Sequence, residues 1–353
     1  MTGSGSMPAG RGPVTGEEGG SMRLGSISLW GADVDAFRRQ IRDAEGRGHE
    51  ILGVGDTPSA WQDMVVTLTI AALASERATL ATTVTTPFLR HPLVLARAMS
   101  SLADLTGGRV VLGIGGGGSA VASVGRPPAS VEHLRRYVLA LQSLFDGETV
   151  EWEGARTAPL VGAHRVPVYL AADGPAMLRL AGEIADGVIL TGCSTLDFLD
   201  RRLGILRAAA ADAGRDPGAV DVWAMSYVSI RDTRDQAVED IAAYLAVMGG
   251  LWLRKPYARA LVPPELEEAA RTMIDRYRPS EHVVVGSPQA RLVQELGLTG
   301  FLAGLTAVAG TPDEVGATLR AFEQRGVGSV VASLAGVADP AGTLQRLEAL
   351  MRT

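Results

Sequence analysis

The chain is short of several residue types, and each shortage removes a class of function. Its single cysteine, Cys193, cannot form an intrachain disulfide. Lys255 is the only lysine, although the chain carries 33 basic residues in total. A Walker A loop needs a lysine at a fixed place in a glycine-rich turn, and a Schiff-base enzyme needs one in its pocket. Lys255 lies in LWLRKPYAR, far along the chain from any glycine-rich turn, so the sequence predicts neither chemistry.

Long apolar runs and clusters of positive charge are also missing. No apolar stretch approaches the ~20 residues of a membrane span, so we expect no membrane partner. A net charge of -6 and a pI near 5.5, without a basic stripe, argue against a nucleic-acid partner. The five histidines show no metal-ligand spacing, so no metal site is predicted. The single cysteine fits a reducing compartment, so we expect a cytoplasmic protein.

The amino-terminal end of the chain differs in composition from the rest. Residues 1–21 are rich in glycine and lack the apolar segment of a signal peptide, so we expect a disordered tail. Hydrophobic residues make up 46% of the chain and charged residues 20%, which is enough apolar material for a large core. We therefore expect residues 22–353 to form a single domain.

From Met22 onward, short apolar β-branched runs alternate with amphipathic stretches, a pattern typical of repeated βα units. The nearly continuous apolar runs favour a parallel sheet covered on both faces. The predicted strands are 23–30, 51–56, 78–85, 107–115, 166–172, 186–192, 219–230 and 328–334. The predicted helices are 33–48, 63–75, 91–105, 130–146, 174–185, 195–213, 312–325 and a last one from Asp339, with Asp33, Ser130 and Thr311 as candidate N-caps.

Eight strands with crossover helices predict an α/β fold of the (β/α)8 TIM-barrel type. A doubly wound open sheet is the alternative, but eight strands in one unit favour the barrel. Residues 233–310 interrupt the rhythm with helical segments, including 263–278, and contain too much chain for one loop. We interpret this stretch as a helical insertion before the last strand that caps the barrel mouth.

A glycine-rich run follows the predicted fourth strand, where a barrel would have its active site. The run GIGGGG (113–118) matches G-x-G-x-x-G, but it is not in the first βα unit and no helix follows at once. We interpret it as backbone that approaches a flat ligand closely, which only glycine permits. A flexible loop is the alternative interpretation.

The segment AADGPAM (171–177) places a glycine between the fifth strand and a helix that begins near Pro175. The free N–H groups of such a helix start, together with the helix dipole, form an anion site. Barrels often bind a cofactor phosphate on late loops of this kind. The alternative is an ordinary strand–helix turn with Asp173 exposed.

Several segments together resemble the luciferase-like superfamily of flavin and deazaflavin barrels. The likeness covers about residues 23–225 and 310–350, and a helix ending in L-x-G-G-R before a strand L-G-I-G is its most specific part. The segments are GVGDTP (53–58), TTVTTPFLRHPLVLARAMSSLADLTGGRVVLGIGGG (82–117), PVYLAADGPAMLRLAGEIADGVIL (167–190) and GTPDEVGATLRAFEQRGV (310–327).

Within the superfamily, GPAMLRLAGEIADGV resembles the methylenetetrahydromethanopterin-reductase-like branch. Members of that branch commonly use coenzyme F420, an 8-hydroxy-5-deazaflavin. The resemblance therefore implies an F420-dependent oxidoreductase that transfers a hydride between the deazaflavin and a small organic substrate. The alternatives are a monooxygenase that uses FMNH2 and oxygen, and a non-catalytic barrel that binds a flavin-like ligand. Because dimers are common in the family, the resemblance also implies a homodimer.

The resemblance implies roles for matched positions. Asp56, at the end of strand two, would act near the deazaflavin hydroxyl and the hydride-bearing carbon, and Trp61 would border the pocket. Thr83–Val84 falls where relatives carry a non-proline cis peptide that backs the ring. The other implied cofactor-binding residues are Thr86, Gly115, Gly116 and Gly117 around the ring, and Ala172, Gly174, Pro175, Ala176 and Met177 around the phosphate.

Two positions depart from the family pattern. Thr57 stands where many relatives have a histidine, and Gly118 stands where the sugar-phosphate dehydrogenases carry a glutamate. The glutamate is a proton donor in those enzymes, so its loss counts against a sugar-phosphate substrate. Trp30 and Trp61 lie near predicted loop mouths, where a ring can stack on a cofactor, although a core position is the alternative.

Overall fold

The structure, a computed structural model, describes residues 21–28, 33–192, 195–278, 281 and 283–352. The predicted tail, except for Ser21, and the residues Trp30 and Cys193 lie outside the described residues. The strands are β1 Arg23–Ile27, β2 Ile51–Val54, β3 Thr79–Thr82, β4 Val110–Ile114, β5 Glu151–Trp152, β6 Ala155–Arg156, β7 Val168–Ala171, β8 Gly187–Thr191, β9 Asp221–Ile230, β10 Ala307–Gly310 and β11 Ser329–Ser333.

The helices on the barrel are α1 Val34–Gly46, α2 Met64–Ala72, α3 Pro92–Thr106, α4 Ser119–Ser123, α5 Val131–Phe145, α6 Pro175–Ile184 and α7 Leu196–Asp212. Those of the predicted insertion are α8 Arg234–Asp240, α9 Ala242–Gly250, α10 Pro256–Arg259, α11 Glu267–Arg276, α12 Pro288–Glu295 and α13 Thr299–Thr306. The last two are α14 Pro312–Glu323 and α15 Pro340–Leu350. No helix of the described part of the chain is long and apolar enough to cross a membrane.

Eight parallel strands close into a barrel, which confirms the predicted fold class. Their order is β9, β11, β1, β2, β3, β4, β7 and β8, and β8 pairs back with β9. An open doubly wound sheet would leave two unpaired edges, so this closure excludes the alternative. Strand β10, which the sequence did not predict, pairs with the second half of β9 after β8 has ended.

The predicted N-caps are confirmed. The side chain of Asp33 accepts hydrogen bonds from the N–H groups of the first turn of α1, and Ser130 does the same for α5. Thr311 forms a reciprocal capping box with Glu314 at the start of α14. These short side chains fix where three of the crossover helices begin, and each helix bound agrees with the prediction within a few residues.

The barrel interior is filled at its amino-terminal end. Asp221, the first residue of β9, accepts hydrogen bonds at Oδ2 from Arg23 (2.7 Å), Tyr169 (2.8 Å) and Trp223 (2.9 Å). Above this level lies an apolar layer with one residue from each barrel strand except β1, made of Ile51, Ala81, Val111, Tyr169, Ile189, Trp223 and Val331. These two layers fill the lower part of the barrel interior, so we look for the ligand site at the carboxyl ends of the strands.

The segment 233–310 has an apolar core of its own, which includes Leu245, Met273 and Leu302. Its helices pack on the part of β9 that extends beyond β8. There Tyr227 stacks on Tyr244 of α9, with ring centroids 3.5 Å apart, and Ser229 donates to Asp240 of α8 at 2.7 Å. These contacts support the interpretation of 233–310 as a cap on the mouth, which stays a prediction.

Candidate functional site

Asp56 lies two residues beyond the end of β2 and is buried. Its Oδ2 accepts hydrogen bonds from the Thr85 hydroxyl and from Nη1 of Arg90, each at 2.6 Å. Arg90 also binds Asp63 at 2.7 Å. Burial alone would lower the pKa of Arg90, but the two carboxylates outweigh it and raise that pKa. The Asp56 carboxylate is therefore held in place by a charged partner that the sequence analysis missed.

The peptide bond between Thr83 and Val84 is cis, as the family resemblance implied. Val84 lies against the backbone of Gly115, where an added Cβ would be 3.4 Å from Val84 Cγ2 and 3.2 Å from Ala171 Cβ. The missing side chain of Gly115 thus lets Val84, after β3, and Ala171, at the end of β7, approach the backbone that follows β4.

Thr86 and Gly117 lie together beside this backbone. Gly117 has φ +95°, a conformation that favours glycine, and an added Cβ would be 3.1 Å from Thr86 Oγ1. Thr86 is buried, and its hydroxyl has no hydrogen-bond partner among the described residues. A hydrogen bond connects Gly116 to the loop before α5, because its carbonyl oxygen accepts from the Ala129 N–H at 2.7 Å. A buried hydroxyl without a partner is a candidate ligand contact.

Trp61 lies on the turn before α2 and is 38% exposed, so it is not a core tryptophan. Its ring covers Gly55, where an added Cβ would be 3.7 Å from Trp61 Cδ1. Thr57, between them, shares a hydrogen bond with Ser119 at 3.1 Å, which joins the loops that follow β2 and β4. The indole therefore lies beside the backbone that leads into Asp56.

The start of α6 leaves backbone donors available. Gly174 is the N-cap and offers no side-chain cap, and Pro175 occupies the first helical position. The first intrahelical hydrogen bond runs from the Leu178 N–H to the Gly174 carbonyl oxygen at 3.0 Å. Among the described residues, the N–H groups of Ala176 and Met177, which precede it, therefore have no acceptor within the helix. Such uncapped donors at the positive end of a helix form an anion site.

Asp173 is not the exposed residue that the ordinary-turn alternative required. Its Oδ1 accepts from Nη2 of Arg202 at 2.8 Å, from the Thr191 N–H at 3.1 Å and from the Thr191 hydroxyl. Arg202 also binds the carbonyl oxygen of Ala172 at 2.9 Å. These hydrogen bonds therefore hold the turn between β7 and α6 in place and connect it to the end of β8.

The insertion reaches this turn. Nζ of Lys255 lies 3.8 Å from Oδ2 of Asp173, and the ring of Tyr257 packs on Gly174, where an added Cβ would be 2.7 Å from Tyr257 Cε1. Lys255 is far from this turn along the chain, but the insertion folds back over the barrel and brings it to Asp173. The lone lysine of the chain thus lies beside the candidate anion site.

The sequence model of the luciferase-like monooxygenase family matches residues 10–329. The chain belongs to this family. It is 34% identical over 195 residues to the 5,10-methylenetetrahydromethanopterin reductase of Methanolobus tindarius, covering 53% of this chain and 58% of that enzyme. It is 33% identical over 237 residues to the F420-dependent glucose-6-phosphate dehydrogenase of Nakamurella multipartita, covering 59% of this chain and 67% of that enzyme.

A solved structure shows the same architecture. The coenzyme F420-dependent tetrahydromethanopterin reductase from Methanopyrus kandleri superposes with a TM-score of 0.73 at 22% identity, covering 93% of this chain and 98% of that one. The shared fold thus covers nearly the whole chain. The family that the residue patterns suggested is confirmed.

Proposed function

We propose that this luciferase-like protein is an F420-dependent oxidoreductase that transfers a hydride between the deazaflavin and a small organic substrate. The observation that carries the proposal is the glycine backbone at Gly115, with Val84 and Ala171 against it, together with the start of α6 after β7, which has no side-chain cap. A planar ring with an anionic tail fits this combination. The F420 dependence of the glucose-6-phosphate dehydrogenase that the chain resembles supports the choice of cofactor.

The residues at this site form two groups, one that would contact the ring of the cofactor and one that would contact its phosphate. Around the ring we place the Thr83–Val84 peptide, the Thr86 hydroxyl and the backbone of 115–117, with Asp56 and Trp61 at one side. Around the phosphate we place Ala172, Gly174, Pro175 and the N–H groups of Ala176 and Met177. The cofactor, when bound, supplies the carbon that carries the hydride.

The work left to the protein is positioning and electrostatics. Arg90 holds the Asp56 carboxylate in one orientation, so a fixed ion pair borders the proposed ring site. Trp61 lies over the backbone before Asp56. The backbone surface at Gly115 equally suits a monooxygenase that uses FMNH2 and oxygen, the second candidate function, which the family as a whole supports.

Titration with reduced F420 and with FMNH2 separates these two functions. We expect fluorescence quenching to show binding of F420 at micromolar or lower concentration and much weaker binding of FMNH2. Tight binding of FMNH2 without a response to F420 would contradict the proposal, and oxygen uptake with a substrate panel would then establish the monooxygenase. Binding of either cofactor with no turnover on any substrate would favour the non-catalytic barrel.

The proposed substrate is not a sugar phosphate. Gly118, where an added Cβ would meet nothing within 4 Å, stands in place of the glutamate of the dehydrogenases. Thr57, in place of the family histidine, is engaged with Ser119. Without these acid–base groups, the reaction that the site supports best is reduction of a C=N or C=C bond by a hydride from the reduced deazaflavin, with the second hydrogen taken up as a proton from solvent.

We also propose a homodimer that forms through α2 and α3. These adjacent helices carry exposed apolar side chains: Val66 (48%) on α2, Leu73 (63%) just after α2, and Val94 (59%) and Leu105 (48%) on α3. Exposed apolar side chains on neighbouring helices are candidates for an interaction site. Light scattering should give a dimer mass for the wild type and a monomer for Leu73→Glu. The control Leu139→Glu, on α5, should stay dimeric; a monomeric wild type would contradict the proposal.

A further inference from the structure

Arg202, on α7, is buried and binds acceptors from two strand ends. Its Nη2 donates to the carbonyl oxygen of Ala172 (2.9 Å) and to Oδ1 of Asp173 (2.8 Å), both just after β7. Its Nη1 donates to the carbonyl oxygens of Thr191 (3.0 Å) and Gly192 (2.7 Å), at the end of β8. One guanidinium therefore joins two neighbouring barrel strands at the start of α6.

This geometry suits arginine alone. The planar guanidinium offers five N–H donors in a fixed fork, whereas a lysine ammonium has three donors at a single point. The guanidinium also stacks near the ring of Phe198, at 5.1 Å, which limits its freedom further. A side chain held this firmly determines where the backbone of 172–174 and 191–192 lies.

Arg202 also changes the charge at the start of α6. Asp173 immediately precedes Gly174, the N-cap of α6, so its carboxylate belongs to the turn that opens this helix. An uncompensated carboxylate there would repel a phosphate. Arg202 cancels that charge at hydrogen-bond distance, and Lys255, 3.8 Å from the other carboxylate oxygen, adds a second positive charge.

We propose that Arg202 is a positioning residue for the anionic tail of the cofactor. It fixes the turn that carries Asp173 and Gly174, so that the first N–H groups of α6 face the tail, and it neutralises the Asp173 carboxylate. The inference rests on the proposed function, since it assumes a ligand with an anionic tail. It predicts that Arg202 affects binding of the tail and has little effect on binding of the ring.

Arg215 provides a matched control. Near the end of α7, it donates to the carbonyl oxygens of Gly182 and Ala185, each at 2.6 Å, at the opposite end of α6. It therefore stabilises the same helix through the same kind of bond, but away from the candidate anion site. A merely structural role for Arg202 predicts that Arg202→Met and Arg215→Met behave alike.

The experiment compares F420 with its tail-free chromophore, the deazaflavin with a plain ribityl chain. Dissociation constants come from fluorescence quenching, and melting temperatures show whether each variant is folded. For Arg202→Met we expect a loss of about 10-fold or more in F420 affinity and less than about 2-fold for the tail-free chromophore. For Arg215→Met we expect a lower melting temperature with both dissociation constants within about 2-fold of the wild type.

A double variant tests the charge argument. In Asp173→Asn with Arg202→Met, the repelling carboxylate is gone, so we expect F420 affinity to recover by about 3-fold or more over Arg202→Met alone. Arg202→Lys keeps the charge without the fork and should give an intermediate loss; it replaces Arg202→Met if that variant does not fold. Equal losses for both ligands, or no loss for F420, would overturn the inference. A wild type that binds no F420 would instead overturn the proposed function.

Discussion

Replacing Gly115 with leucine is expected to weaken F420 binding by about 100-fold or more while the protein stays folded. The added Cβ would lie 3.2 Å from Ala171 Cβ and 3.4 Å from Val84 Cγ2. With both neighbours already in contact, we expect the rest of a leucine side chain to extend past them toward the barrel mouth. It would then occupy the place that we propose for the deazaflavin ring.

A graded series at this position makes the prediction specific. Gly115→Ala adds only the Cβ, which its neighbours can accommodate by moving a few tenths of an ångström, so we expect a loss of F420 affinity below about 10-fold. Circular dichroism and melting temperature show that both variants fold, and fluorescence quenching gives their dissociation constants. If the leucine variant binds F420 as the wild type does, the ring does not lie against the end of β4.

Much of the fold follows from short-range rules in the sequence. Alternating apolar runs predicted the eight barrel strands, and the single polar side chains of Asp33, Ser130 and Thr311 marked where helices begin. Strand β10 escaped prediction because AVAG is four residues long and follows a helix directly; it pairs only because β9 continues past β8. The strands β5 and β6 have two residues each, too few for a periodic pattern.

The candidate site was less predictable. The cis peptide at Thr83–Val84 was expected from a family resemblance and the start of α6 from the local pattern around Gly174 and Pro175, and the structure has both. The side chains that hold the site together left no local signal. Arg90 is 34 residues from Asp56 and Arg202 is 29 residues from Asp173. In a chain whose cations are nearly all arginine, only the closed barrel shows which of them are buried against a carboxylate.

Replacing Glu45 with alanine is expected to lower the free energy of unfolding by about 3 kcal/mol. Glu45 ends α1 and is buried against the loop before β3. Its Oε1 accepts from the N–H groups of Arg77 and Ala78, each at 2.7 Å, and from the Ser75 hydroxyl at 2.8 Å, while Glu76 donates its N–H to both carboxylate oxygens. Alanine would leave these donors without acceptors, and urea unfolding at pH 7 measures the loss.

The difference in the free energy of unfolding between the wild type and Glu45→Ala should depend on pH, and this dependence identifies its cause. Burial alone would raise the pKa of Glu45, but the backbone and hydroxyl donors outweigh it and lower that pKa from 4.5 to about 2. The carboxylate therefore contributes fully above pH 4.5, and its contribution is lost as the pH falls toward 2. We expect the difference between wild type and Glu45→Ala to shrink over that window, and Glu50→Ala, at an exposed carboxylate, to change little at any pH. A difference that stays constant down to pH 2.5 would mean that lost packing, rather than the hydrogen-bonded charge, accounts for the effect.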